Sequence, residues 1–254
     1  MCDTCGCGDT DLVPVEIQQN LLARNDHQAA HNRAHFVQHD VLAINLMGSP
    51  GSGKTALLEA TAKARADKRL QAVSGDLATE NDSDRLNAAG IPSRPITTGT
   101  ACHLDADLVH HALHDIALAD TDWFFIENVG NLVCPAIYDL GQAANVVALS
   151  ITEGEDKPLK YPVMFQKADL VVITKVDLLP YLDFDMDALE DALARVMPDP
   201  KVLKVSARTG EGLEAWVGWL EEKAKGLTRV RPEHLAGFEP VEEHGHGHAH
   251  PHSH

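Results

Sequence analysis

Gly48-Ser49-Pro50-Gly51-Ser52-Gly53-Lys54-Thr55 fits the pattern G-x-x-x-x-G-K-[ST], and its chemistry is that of a phosphate cradle. Gly48, Gly51 and Gly53 let backbone N–H groups turn inward without a clashing Cβ, with Ser49 and Ser52 in the same turn. Lys54 can bridge the β- and γ-phosphates, and Thr55 can ligate Mg²⁺. The plain alternative is a chance glycine-rich turn. An apolar strand before the motif and a helical pattern after it argue against that, because a helix N-terminus adds its positive end to the site.

Three further segments narrow the nucleotide. "DLVVITKVDLLP" ends a strand with Thr174, Lys175 and Asp177, where the aspartate can accept from both N–H donors of a guanine edge and the lysine stem can pack along the base. Adenine offers no such donor pair. "KVLKVSARTGEG" puts Ser206 and Ala207 after the next strand, suited to a backbone amide that meets the guanine O6. "FFIENVGN" gives Glu127 and Gly130 in an E-x-x-G spacing, which suits contact near Mg²⁺ and sensing of a γ-phosphate by the Gly130 amide. Together these segments indicate a GTPase. In one departure, the base-reading motif of GTPases begins with Asn and here begins with Thr174, whose hydroxyl cannot make both amide contacts. A candidate first switch, "VSGDLATENDSDRL", supplies Asp76 to Mg²⁺ or its water, with Thr79, Asp82 and Arg85 nearby. Asp82 reads equally well as a helix N-cap.

A second chemistry belongs to soft and borderline metals. Cys102 and His103 are adjacent at the expected mouth of a helix, where the macrodipole favours thiolate, and Cys134 follows Gly130 by four residues. Two thiolates and an imidazole suit Zn²⁺ or Ni²⁺ and leave the fourth position to water or to a second copy. The competing reading is of two buried thiols and a helix-start histidine. His103, His110 and His114 fall on the helix face opposite Leu108, Val109, Ala112, Leu113 and Ile116, and His110, His111 and His114 are expected in solvent rather than as ligands. Cys2, Cys5 and Cys7 read C-x-x-C-x-C, close enough for three thiolates to meet on one ion without a preformed fold. His244, His246, His248, His250, His252 and His254 alternate with small residues. That pattern reads as a native multi-ion store, since vector tags usually run uninterrupted; an expression tag is the alternative.

The elements that must position these residues alternate between strand and helix. Strands are expected at 41–47, 71–76, 94–98, 123–129, 144–151, 169–177 and 201–207, and helices at 14–39, 55–69, 82–89, 103–118, 159–167, 187–196 and 212–225. Short apolar runs between helical patterns imply a mainly parallel sheet covered on both faces, an α/β P-loop NTPase three-layer sandwich with ligands at the carboxyl ends of the strands. A core of 254 residues with 44% hydrophobic content supports one domain. The expected organisation is a flexible cysteine-rich segment at 1–13, a GTPase domain with an N-terminal helix at 14–240, and a histidine-rich tail at 241–254. A formal charge of −17 excludes nucleic acid and anionic membrane as partners, and no apolar run spans a bilayer. Without a leader pattern, and with five cysteines better read as ligands or core than as disulfides, a cytoplasmic place is expected.

With "GSPGSGKT", "SGDLATENDSDR", "TGTACHLDA", "FFIENVGNLVCP", "TEGEDKPLKYP", "ITKVD" and "SARTGEG" in place, the chain resembles the HypB family, the nickel-incorporation GTPases of [NiFe]-hydrogenase maturation. The resemblance implies a SIMIBI-class G domain acting as a GTP-dependent homodimer. It places Cys102, His103 and Cys134 in a nickel or zinc site at the subunit interface, has Cys2, Cys5 and Cys7 bind nickel, and sets Lys157 near the nucleotide. It also implies a HypA-type metallochaperone and the hydrogenase large-subunit precursor as partners. The expected activity is slow conversion of GTP to GDP and phosphate, coupled to nickel delivery, because Asn131 stands where a water-orienting glutamine would follow Gly130. Competing readings are a nickel buffer, a P-loop kinase and the urease-type nickel GTPase, whose Cys-Pro-His triplet is here Cys134-Pro135-Ala136.

Overall fold

The computed structural model describes residues 15–76, 81–99 and 101–229. Cys2, Cys5, Cys7, Thr79 and the six tail histidines lie outside them.

Seven strands, β1 (Leu42–Met47), β2 (Leu70–Asp76), β3 (Ser93–Thr97), β4 (Trp123–Glu127), β5 (Ala144–Ser150), β6 (Leu170–Thr174) and β7 (Val202–Val205), form one sheet in the order β3-β2-β4-β1-β5-β6-β7. Every pairing is parallel, so the mainly parallel sheet expected from sequence is wholly so among the described residues. β1 is central and its six residues are all buried. Alternate side chains go to opposite faces, as strand geometry requires. Leu42, Ile44 and Leu46 pack beneath α2 (Lys54–Ala64), α3 (Asn81–Ala88) and α8 (Leu213–Arg229), with Trp216 fully buried among them. Ala43 faces α1 (Val15–Gln38) and α4 (Ala106–Leu113), through Phe36, Val109 and Leu113. Met47 meets a third cluster with α6 (Pro162–Gln166) and α7 (Met186–Val196). The three-layer sandwich is therefore present.

Three helices fall short of expectation or break, each for a local reason, while α8 runs four residues past its expected end at 225. The helix expected to reach Arg69 stops at Ala64, where Arg65 leaves helical geometry and its side chain turns to Asp67. The one expected over 103–118 starts at Ala106, because Asp105 caps it by accepting from the Leu108 N–H, and ends at Leu113. The one expected over 159–167 is two pieces, α5 (Lys157–Lys160) and α6, because Pro162 lacks the N–H that would continue the first. Among the described residues no helix is long and apolar enough to cross a membrane.

Candidate functional site

β4 runs beside β1 with Leu46 opposite Glu127, so both strands end at one edge of the sheet and the loop Gly48–Gly53 begins where Glu127 stands. That loop exists because of its glycines. Gly51 and Gly53 sit at φ +75° and +91°, and a Cβ on Gly48 would come within 2.4 Å of the Ala148 carbonyl oxygen. α2 starts with no side-chain cap, so its first N–H groups are open to an anion. The cleft above holds about 400 Å³ and is lined by Lys54, Thr55, Asp76, Asp82, Arg85 and Glu127 among others.

Inside this cleft Lys54 is only 8% exposed, and its Nζ donates to the loop's own Gly48 and Ser49 carbonyls at 3.4 and 3.2 Å. These are long contacts for an ammonium. Burial pulls Lys54 below its ordinary pKa, opposed by Glu127, Asp82, Glu153 and Asp76. Thr55 Oγ1 lies 2.8 Å from Asp82 Oδ1 and 2.7 Å from Glu127 Oε1. One hydroxyl has one proton and can satisfy one of the two at a time. The second oxygen of Glu127, Oε2, is buried with no hydrogen-bond partner, as is Ser52 Oγ. A buried group of hard oxygens short of donors is the donor set Mg²⁺ takes, so Thr55, Glu127 and Asp82 fit that ion, with Asp76 on the same wall. Asp82 is not the helix N-cap that the sequence equally allowed: α3 begins at Asn81, so Asp82 lies in its first turn with its carboxylate toward Thr55.

Burial drives the Glu127 carboxyl up to about 7, partly offset by the Thr55 hydrogen bond and by Lys54. The folded chain thus keeps a proton that the unfolded chain gives up above its ordinary 4.5. Without nucleotide or metal, stability relative to Glu127→Gln should fall as pH rises from about 4.5 to about 7, by on the order of 3 kcal/mol, and stay level above. Thermal melts of the two proteins in chelator across that range test this, and a difference that does not change with pH would refute it.

A second cavity, about 250 Å³, opens on the far side of Gly53 and is lined by Thr174, Lys175, Asp177, Ala207 and Arg208 among others. Asp177 Oδ1 accepts from Ser206 Oγ at 2.7 Å, which fixes the carboxylate toward the cavity wall. Thr174 Oγ1 donates to the Ser52 carbonyl, and Lys175, held at φ +60°, donates to the Gly51 carbonyl at 2.7 Å. Both residues bolt the carboxyl end of β6 to the phosphate loop. That is how a threonine is accommodated at the first position of the base motif. Lys157 lines neither cavity; its ammonium lies 5.5 Å over the Tyr161 ring. From the same segment it is Glu153, which sequence reasoning passed over, that reaches the loop, accepting from Ser49 Oγ and, at 3.0 Å, from the Ser150 N–H.

Cys102, His103 and Cys134 come together, with their ligand atoms within 4.8 Å of one another. The sulfurs are 2.8 Å apart, and Cys102 Sγ lies 3.8 Å from His103 Nδ1. His103 stacks on Tyr138 at 3.9 Å between ring centres, and burial holds its pKa below the ordinary value. Because α4 begins at Ala106, Cys102 does not sit at a helix mouth as expected. What positions it is Asn128, the residue after Glu127, whose Oδ1 accepts from the Leu104 N–H at 3.2 Å while its Nδ2 donates to Asn45 at 3.1 Å. The segment that follows touches the phosphate loop twice. Asn131 bridges Gly48, and a Cβ on Gly130 would meet Pro50 at 2.8 Å. It then delivers Cys134, 4% exposed, in a 3₁₀ turn at Cys134–Ala136.

The histidines of α4 divide. His111 and His114 are exposed as expected, whereas His110 is half-buried against α1, which corrects its expected place in solvent.

The CobW/HypB/UreG nucleotide-binding domain model matches residues 42–204. Hydrogenase maturation factor HypB of Azotobacter chroococcum mcd 1 is 49% identical over 222 residues, 87% of this chain and 73% of that protein. The crystal structure of Helicobacter pylori HypB in complex with nickel superposes with a TM-score of 0.76 at 40% identity, covering 80% of this chain and 96% of that one. The HypB structure from Archaeoglobus fulgidus gives 0.74 at 37% identity, covering 80% and 100%. With its parallel sheet, its phosphate loop and its Cys-His-Cys group, the chain belongs to the HypB family of hydrogenase maturation factors.

Proposed function

We propose that this protein is a slow GTPase that holds Ni²⁺ between Cys102, His103 and Cys134 and passes it to the [NiFe]-hydrogenase large-subunit precursor, acting as a homodimer together with a HypA-type metallochaperone. One observation carries the reading: the stretch from Glu127 to Cys134 belongs to both sites. It opens with a carboxylate on Thr55, packs Gly130 against Pro50, and ends in the sulfur next to Cys102. A shift of the loop around Pro50 therefore moves a metal ligand.

The donor set supports a borderline cation as cargo, since two sulfurs and an imidazole suit Ni²⁺ and also Zn²⁺. Three ligands from one chain leave the shell open. Val133 and Ile137 flank Cys134 with side chains 47% and 46% exposed, an apolar rim that a second copy would cover. In the nucleotide cleft Lys54 and the uncapped start of α2 bind and orient the triphosphate, while Asp177 reads the guanine edge. Thr55, Glu127 and Asp82 would hold Mg²⁺, which neutralises charge on the phosphates when bound. Hydrolysis adds water to the γ-phosphorus and breaks its bond to the bridging oxygen, leaving GDP and phosphate. Asn131 stands where a water-orienting glutamine would follow Gly130, and its shorter side chain already accepts at Oδ1 from the Val133 N–H at 2.8 Å, so turnover is slow. Outside the described residues, Cys2, Cys5, Cys7 and the tail histidines serve as further metal-holding segments, and the protein works in the cytoplasm.

The test is a Ni²⁺ titration of the full chain holding GDP or a non-hydrolysable GTP analogue, with mass in solution followed in parallel. Affinity and dimer fraction should differ between the two nucleotide states. Gly130→Ala, whose methyl must displace Pro50, should reduce that difference. Equal affinities in both states would remove the coupling.

A further inference from the structure

Away from both sites, α1 and α4 pack side by side, and their facing turns each carry histidines one helical turn apart: His31 and His35 on α1, His110 on α4 and His114 at its C-cap. The ring centres of His31, His35 and His110 form a nearly equilateral triangle, with separations of 5.8, 6.0 and 6.0 Å, and His114 lies 4.8 Å from His110. Imidazoles that share one ion at about 2.1 Å per nitrogen have ring centres roughly 4.5–6.5 Å apart. The centre of the observed triangle is about 3.4 Å from each ring centre, close to the roughly 3.2 Å a bound ring requires.

The hydrogen bonds around His110 fix which nitrogen is available. Asn32 Nδ2 donates to two carbonyls, Ala106 at 2.8 Å and Leu140 at 3.2 Å, so the amide cannot be turned over. Its Oδ1 then faces His110 Nδ1 at 3.1 Å and must accept. His110 is thereby held with its proton on Nδ1 and a lone pair on Nε2, directed away from Asn32. That is the arrangement by which proteins orient a metal-binding histidine. Like-charged rings gathered at one place are otherwise unfavourable, and burial together with the neighbouring histidines keeps both His35 and His110 unprotonated at neutral pH, as ligands must be.

We propose that α1 and α4 form a second transition-metal site, in which His31, His35, His110 and His114 bind Ni²⁺ or Zn²⁺ through imidazole nitrogen alone. Among the described residues only Cys102, His103 and Cys134 have ligand atoms already converged, so here the rings turn about their side-chain torsions to close on the ion. Without thiolates the site holds its ion more exchangeably than the Cys-His-Cys group does. It sits on the helix that leads directly out of the Cys102–His103 segment, and its occupation ties α1 to α4.

The experiment uses the unaltered full chain. Diethyl pyrocarbonate modification of histidines is mapped residue by residue by peptide mass spectrometry, with and without Zn²⁺ or Ni²⁺. Metal should abolish modification of His31, His35, His110 and His114 together, and His35→Gln should restore reactivity at the other three while the tail histidines stay protected. Asn32→Ala, which frees the His110 ring, should weaken the protection by about 10–100-fold in metal concentration. Should a variant fold poorly, ring proton resonances of the unaltered chain give the same answer, because those of His31, His35, His110 and His114 must move together on adding Zn²⁺. Unchanged modification rates with metal, or resonances that move only for the tail, would overturn the site.

Discussion

Lys54→Ala is expected to lower GTP binding and hydrolysis by about 10²–10³-fold while Ni²⁺ binding at Cys102, His103 and Cys134 persists. The effect is large because of the company Lys54 keeps. The cleft walls carry Asp76, Asp82 and Glu127, and among the described lining residues the cations are Lys54 and Arg85. Arg85 is already committed, to Glu59 at 2.9 Å and to Asp82 at 3.5 Å. Removing Lys54 leaves the carboxylates to face a triphosphate with no uncommitted countercharge nearby. Stability should move the other way or not at all. The buried ammonium has only two long carbonyl contacts, so its loss removes a desolvated charge rather than a well-made pair. Phosphate release, binding of a fluorescent guanine nucleotide, a thermal melt and a Ni²⁺ titration together check this. A variant that still matured hydrogenase under nickel limitation would show delivery without nucleotide and favour a simple buffer.

The sheet was legible from sequence because apolar runs of strand length alternate with helical patterns, and the phosphate loop because its glycines are needed at positive φ in consecutive order. The thiol group was legible from types alone, though its placement was not. The sequence pattern places Cys102 at a helix mouth, whereas Asp105 moves the start of α4 onward and the buried amide of Asn128 fixes the segment instead. Asp82 was visible but ambiguous, since N-capping and metal chemistry ask for the same residue types. The histidines of α1 and α4 show the limit most clearly. His110 lies opposite the apolar stripe of its own helix, and only the packing of α1, with Asn32 reaching across a separation of 78 residues, brings it indoors. Local pattern reports the periodicity of one element and carries no information about which other element will cover its second face.

Cys134→Ala is the second variant with a large expected effect: a loss of more than about 100-fold in Ni²⁺ affinity at the Cys-His-Cys group, since removing a ligand costs more than the 10–100-fold typical of disturbing a ligand's support. Alanine fits the nearly closed pocket without burying a new polar group, so the 3₁₀ turn at 134–136 should persist and the melt should shift only slightly. The nucleotide cleft keeps Glu127, Gly130 and their contacts, and guanine nucleotide should bind as before. The informative quantity is the difference in Ni²⁺ affinity between the GDP and GTP-analogue states, which this variant should abolish even if Cys102 and His103 still hold an ion weakly. Those two residues connect to the cleft through Asn128 and Leu104, a path that bypasses Gly130. If the difference survived in Cys134→Ala, the signal would run through the Asn128 amide, and Asn128→Ala rather than Gly130→Ala would be the substitution that silences it.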